Sequence, residues 1–216
     1  MTQPASSQIT YWDGVAHRKR FSHPLNFAWL EKYVNQQARV LDYGCGYGRT
    51  LGELSPAGFT NLVGVDFSHQ MLTRARVELP GSWVIRNDGQ NLPFTNDCFD
   101  AMLLFAVLTC LPADEQQRLL LAEAHRVLRP GGILYLSDLL INDDERNRER
   151  YQQHASTYDR YGVFELPEGV VVRHHQREWI EEITARFERL EFARFTVTTM
   201  NGNRSAAFQY LGRKPN

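Results

Sequence analysis

The stretch Val40-Leu41-Asp42-Tyr43-Gly44-Cys45-Gly46-Tyr47-Gly48-Arg49-Thr50 passes from an apolar run, through glycines at alternate positions, into a segment of helical character. Its sense is therefore strand, tight turn, helix. A residue without a Cβ lets the backbone turn left-handed and approach a ligand closely. A dinucleotide-binding loop has the spacing GxGxxG, with Gly or Ala where this chain has Arg49. That substitution, with a carboxylate at Asp42 just ahead of the turn, disfavours a pyrophosphate and suits a cationic group.

Downstream of this turn, short β-rich runs alternate with longer helical windows, the βαβα order of a parallel sheet. Strands are expected at 39–42, 61–66, 82–86, 100–105 and 132–138, and helices at 49–54, 68–79 and 112–128. Ser68 caps the second helix and Pro80-Gly81 stops it. Asp114 and Glu115 suit the positive end of the third, which terminates at Arg129-Pro130-Gly131-Gly132. Beyond Asp138 the pattern breaks: 142–150 is a charge run, and 151–175 mixes aromatics, histidines and acids without periodicity. A last helix is expected at 176–187. Two alternating segments, 190–199 and 204–212, flank Asn201-Gly202, a hairpin signal. The first 38 residues read as a helical cap ending in an amphipathic stretch at 24–34.

The chain has 216 residues with 24 Lys+Arg against 25 Asp+Glu, and this near-neutrality disfavours a dedicated nucleic-acid binder. Cys45, Cys98 and Cys110 are odd in number and irregularly spaced, so neither a disulfide framework nor a metal site is expected. No signal peptide is visible, and the apolar run 101–111 falls short of the roughly 20 residues a membrane span takes. A cytoplasmic address is the expectation.

In order and spacing, VLDYGCGYG, VGVDFS, NDGQNLPFTNDCFD, LLFAVLTCL and VLRPGGILYLSD resemble the class I S-adenosylmethionine-dependent methyltransferases, in their small-molecule branch. The resemblance is firm over about 38–140 and looser over the closing helix and hairpin. It implies a Rossmann-like, doubly wound α/β fold: a mostly parallel seven-stranded sheet with a terminal antiparallel hairpin, an N-terminal helical cap and a lid insertion. The chain then divides, within one domain spanning 1–216, into cap (1–38), cofactor-binding core (39–140), lid (141–175) and closing helix and hairpin (176–216).

The resemblance also implies the cofactor, S-adenosylmethionine, and residues for each of its parts. Asp42, with the turn Gly44, Cys45, Gly46 and Gly48, would hold the methionine amino group. The two oxygens of Asp66 would accept the ribose hydroxyls, and Phe67 would pack on adenine. Asp88 would accept from the adenine amine, Gly89 would donate to a ring nitrogen, and Phe105 would line the pocket beside the sulfonium. Tyr11 would sit over the cofactor and Arg20 would reach its carboxylate. Plainer roles stand beside these: Asp66 and Ser68 also suit a helix cap, Asp88-Gly89 a β-turn, and Phe105 the core.

Methyl transfer is an in-line displacement governed by alignment, and a base is needed only for an acceptor protonated at neutral pH. His23, Tyr161, His174 and His175 are the candidates, the last two as neutral bases ahead of a helix or, alternatively, as its cap. The Pro-Pro-aromatic signature of amino-methylating nucleic-acid enzymes is absent after the fourth strand, where the chain reads Leu104-Phe105-Ala106-Val107. The expected partner is a small-molecule acceptor, with nucleic acid and membrane disfavoured. A non-catalytic cofactor-binding module, a methyltransferase acting on a macromolecule and a nicotinamide oxidoreductase are the competing readings. The acceptor is chosen by cap and lid, and the sequence carries no signal of oligomeric state.

Overall fold

The computed structural model of the protein describes residues 5–87 and 91–216. Its elements run α1 (Ala5–Val15), α2 (Phe27–Tyr33), β1 (Arg39–Tyr43), α3 (Arg49–Leu54), β2 (Asn61–Asp66), α4 (His69–Glu78), β3 (Trp83–Arg86), β4 (Phe99–Phe105), a 3-10 turn (Leu108–Cys110), α5 (Asp114–Val127), β5 (Leu128–Leu139), α6 (Glu145–Tyr158), β6 (Val163–Glu165), β7 (Val171–Arg173), α7 (Arg177–Ile183), β8 (Glu188–Thr198) and β9 (Arg204–Arg213). Seven strands form one sheet in the order β3-β2-β1-β4-β5-β9-β8. Strands β1 to β5 pair in parallel, and β9 runs antiparallel to both β5 and β8. This is the mostly parallel sheet with a terminal hairpin that the sequence implies.

Period-two alternation covers both faces. Leu41, Val65, Met102, Leu104, Leu134 and Leu136 pack with α5 and α7 on one side. Val40, Ala101, Leu103, Ile133 and Tyr135 meet Leu30 of α2 and Leu54 of α3 on the other. Each Val, Leu, Ile or Met among them taken from water contributes about 1.5 to 3 kcal/mol, which fixes the central strands and with them the loops at their carboxyl ends. Among the described residues no helix is long and apolar enough to cross a membrane.

Three boundaries differ from the sequence expectation. Strand β5 begins at Leu128, where pairing with Phe99 precedes a register shift to Ala101–Ile133, so Arg129 to Gly132 form a bulge within the strand. Helix α7 ends at Ile183, and the Thr184 hydroxyl donates back to the Ile180 carbonyl at 2.7 Å. The segment 141–175 is ordered as α6 and a separate antiparallel pair, β6 and β7. Asp144 caps α6 by accepting from the Asn147 backbone N–H at 3.2 Å, while Asn147 and Tyr151, four residues apart, are its buried residues. So narrow a buried stripe leaves the helix looking like a solvated charge run.

Candidate functional site

All three turn glycines are left-handed, at φ +72° for Gly44, +54° for Gly46 and +81° for Gly48. The Gly44 and Cys45 N–H groups both donate to the Val65 carbonyl, at 2.7 and 3.1 Å, tying the turn to the end of β2. A Cβ on Gly46 would lie 2.2 Å from the Phe21 ring, and one on Gly48 would lie 2.7 Å from Leu79. The space these two glycines leave is therefore filled by protein, the cap on one side and the end of α4 on the other. Gly44 differs: a Cβ there would meet Val107 at 2.6 Å, and Gly44 borders the main cavity.

Asp66, at the end of β2, is fixed at both oxygens. Oδ2 accepts from the Gly46 N–H at 2.9 Å and Oδ1 from the Ser68 N–H at 2.8 Å. The Phe67 N–H adds a third backbone contact, and the carboxylate keeps lone-pair capacity for a ligand hydroxyl. Burial raises this carboxyl to about 6 against the lowering effect of those hydrogen bonds. The cap reaches the same corner. Asp13 of α1 accepts from the Ser68 hydroxyl at 2.5 Å and from the Gln70 N–H at 3.0 Å, and Ser68 Oγ accepts from the Met71 N–H at 3.1 Å. Arg74 donates to the Ala16 and Lys19 carbonyls at 2.8 Å each and lies over the Tyr47 ring.

These strand ends, the cap, the insertion and the hairpin tip enclose a cavity of about 900 Å³. Asp42 lies in its wall, 1% exposed, and its Oδ2 has no hydrogen-bond partner. Burial pushes this carboxyl up to about 7, with neighbouring Arg49 opposing the shift. Tyr11 lines the same cavity with a buried hydroxyl that is likewise unpartnered, and burial raises its pKa to about 12. Unsatisfied buried polar atoms on a cavity wall are costly unless a ligand completes them.

The residues singled out from sequence divide by place. Tyr11, His23, Asp42, Gly44, Cys45, Asp66, Phe67, Phe105 and His174 line the cavity. Asp88 and Gly89 lie outside the described residues. Gly46 and Gly48 shape the turn from behind. Arg20 is exposed and absent from the lining, and the arginine beside Asp42 is Arg49. Tyr161 is 43% exposed and stacks edge-on against Tyr151, away from the cavity. His175 is also outside it. Its Nδ1 donates to the Leu139 carbonyl at 3.1 Å, and its Nε2 faces the Gln117 amide at 3.0 Å, so both ring nitrogens are spent on structure.

Two of the histidines on the wall, His23 and His174, are neutral for the same reason. Burial, then the nearby Arg49 charge, lowers His23 to about 4, and its Nδ1 lies 2.9 Å from the Ser137 hydroxyl. Burial, then Arg150, holds His174 well below the ordinary histidine value. The Tyr151 hydroxyl lies 2.6 Å from His174 Nδ1 and the Asn142 amide nitrogen 3.5 Å from it. Asn142 has its orientation set by donating to the Leu140 carbonyl and accepting from the Ala206 N–H.

Sequence reading missed part of the wall. Arg146 and Arg150 of α6 line the cavity beside His154, which the aromatic and titratable cluster of the insertion already includes, and the i, i+4 spacing of the two arginines is the signal that was available. The hairpin tip at Thr199, Met200 and Asn201 also reaches it, and the Lys19 ammonium donates to Asn201. Gln8 of α1 donates to the Val171 carbonyl of β7 at 2.9 Å, joining cap to insertion.

Residues 41–136 match the family model of the methyltransferase domain. Over 105 residues the chain is 37% identical to a phthiotriol/phenolphthiotriol dimycocerosates methyltransferase of Mycobacterium leprae, covering 47% of this chain and 37% of that protein. The chain thus spans well under half the length of that relative. Among solved structures, a SAM-dependent methyltransferase from Methanosarcina mazei superposes with a TM-score of 0.82 at 24% identity, over 89% of this chain and 99% of that one. A SAM-dependent methyltransferase from Anabaena variabilis gives 0.69 at 18% identity, over 97% and 94%. At these identities the likeness is one of fold.

Proposed function

Because the chain belongs to the class I S-adenosylmethionine-dependent methyltransferases, we propose that it transfers a methyl group to a small-molecule acceptor at O, N, S or C. The observation that carries this reading is the buried, unpartnered Oδ2 of Asp42 on the cavity wall beside Gly44. An acceptor so placed fits the methionine ammonium, a donor of matching charge. Asp66, already oriented by Gly46 and Ser68, has lone pairs left for the ribose diol. Phe67 and Phe105 offer apolar surface to the adenine and the sulfonium. When bound, S-adenosylmethionine supplies an electrophilic methyl group on a sulfonium.

The remaining work belongs to the chain. Cap, insertion and hairpin tip wall the cavity and exclude water, and alignment of the acceptor carries most of the rate. For an acceptor that must lose a proton, His23 is a neutral imidazole in reach of the cavity. The whole chain acts as one methyltransferase domain in this reading, with 39–140 as the cofactor half. A reducing, cytoplasmic setting fits the three free cysteines, two of which, Cys45 and Cys110, face the cavity.

A small acceptor is favoured by the cavity's volume, within the range of small-ligand sites, and by the chain's near-neutral charge, which offers little attraction to nucleic acid. The mycobacterial relative is likewise named for phthiotriol and phenolphthiotriol dimycocerosates rather than for a nucleic acid. The test is incubation with methyl-labelled S-adenosylmethionine and a cell extract fractionated by mass. Label is expected in the low-mass fraction. Label confined to protein or nucleic acid, or no transfer at all, would contradict the proposal.

A further inference from the structure

Arg150 is a charged group of the insertion that lines the cavity with the Tyr151 hydroxyl as a side-chain hydrogen-bond partner. It projects from α6 into the cavity, more than half buried, with its guanidinium 3.7 Å from the Phe164 ring centroid. Its Nε is buried without a hydrogen-bond partner. Among the described residues no carboxylate forms an ion pair with it, although Arg146, one turn earlier, approaches Asp144 at 4.0 Å. A half-buried guanidinium without a counter-ion is costly, and the cost is recovered when an anion binds.

His174 stands beside it, its ring 5.1 Å from that of Phe164 and edge-on to it. The phenolic proton of Tyr151 has the imidazole Nδ1 at 2.6 Å and the Asn147 amide oxygen only at 3.4 Å. The Asn142 backbone N–H donates to the same hydroxyl at 3.3 Å, leaving it free to donate onward. The Asn142 amide nitrogen lies 3.5 Å from Nδ1 and donates its hydrogens to the Leu140 carbonyl and Ser205 Oγ, so the phenol is the donor on that side. Nδ1 therefore accepts and the proton of the neutral ring sits on Nε2. The ring contacts to Tyr151 and Asn142 are both at Nδ1, and the residue, 4% exposed, borders the cavity, which leaves Nε2 as the nitrogen for a ligand. The acids on the same wall, Glu165 and Glu168, are exposed at its rim, and Tyr158 donates to Glu165 at 3.3 Å.

Resting on the methyl-transfer reading, we propose that the acceptor carries a carboxylate, held by the Arg150 guanidinium and the Nε2–H of His174, with Arg146 adding charge at the entrance. The planar guanidinium matches a carboxylate with parallel N–H donors, and a neutral imidazole adds one hydrogen bond without a second charge to desolvate. The carboxylate is the handle by which the substrate is positioned. This makes the acceptor a small organic acid.

The test uses full-length protein saturated with S-adenosylhomocysteine and titrates calorimetrically a series of small aromatic and aliphatic carboxylates, each beside its neutral amide. Variants are Arg150→Gln, Arg150→Lys and, as a control on the exposed side of the same helix, Arg148→Gln. At least one acid is expected to bind roughly tenfold or more tighter than its amide. Arg150→Gln should abolish that preference, Arg150→Lys should keep part of it, and Arg148→Gln should leave it unchanged. The inference is overturned if no acid is preferred to its amide, or if the preference survives Arg150→Gln. Failure of S-adenosylhomocysteine to bind at all is a separate result and strikes the methyl-transfer reading.

Discussion

The hydroxyl of Tyr151, on the insertion helix, donates to Nδ1 of His174 at 2.6 Å. This one contact fixes which nitrogen of a buried imidazole carries the proton. It turns a residue that sequence suggests as a base into a hydrogen-bond donor toward the cavity. Long-range proton–nitrogen spectra of histidine-labelled protein should show the Nε2–H tautomer of His174, with no titration from about pH 5 to 8 because burial holds the ring neutral. A Nδ1–H signal, or a midpoint near the ordinary histidine value, would contradict it. Tyr151→Phe should cost about 1 to 3 kcal/mol in urea unfolding, the price of leaving Nδ1 with the distant Asn142 amide.

Asp42 should make both stability and cofactor binding depend on pH. Burial raises its carboxyl from 3.8 to about 7, so in that window the folded protein holds a proton that the unfolded chain has released. Its contribution is fully present below the unfolded value and is lost as pH rises through about 7. Asp42→Asn removes this slope, so the stability of wild type relative to the variant should fall from pH 4 towards pH 8, both approximate limits. Binding runs the other way: the ionised form attracts the methionine ammonium, so S-adenosylhomocysteine should bind about tenfold more weakly near pH 6 than near pH 8. A pH-independent affinity would contradict the assignment.

The turn glycines should differ from an open one. At Gly81, φ +84° with nothing within 4 Å of an added Cβ, Gly81→Ala should cost only the left-handed strain of about 1 to 2 kcal/mol. Gly46→Ala carries the same backbone penalty and also drives a Cβ into the Phe21 ring. It should cost clearly more in chemical denaturation and should loosen the cap, seen as faster amide exchange in α1. Equal costs for the two substitutions would contradict the packing.

Asp13 ties the cap to the turn that orients Asp66. Asp13→Ala removes an acceptor for the Ser68 hydroxyl and the Gln70 N–H. A loss of about 1 kcal/mol is expected, as for a helix cap, together with weaker S-adenosylhomocysteine binding. Unchanged affinity would separate the cap from the cofactor corner.

The sheet was legible because its strands, buried on both faces, are apolar runs bounded by strong turn signals, as at Pro80-Gly81 and Asn201-Gly202. Asp42 and Asp66 were legible because chain order alone puts them at the carboxyl ends of neighbouring parallel strands. The insertion was not, since α6 buries only Asn147 and Tyr151 and the remaining face is charged. Arg150 and His154 take their meaning from a cavity closed by β6, β7 and the hairpin tip, contacts far apart in the chain. Adjacent His174 and His175 look equivalent in sequence. They part only because the backbone there bonds to Leu139 and Ile141 beside β5, sending one ring to the cavity and the other to Gln117.

The most direct test of the central claim, that Asp42 completes a site for the methionine ammonium, is calorimetric titration of wild type and Asp42→Asn with S-adenosylhomocysteine near pH 8. One molecule should bind per wild-type chain, and Asp42→Asn, with its fold intact by circular dichroism, should bind at least about tenfold more weakly. No binding to wild type, or equal affinity in the variant, would contradict the account.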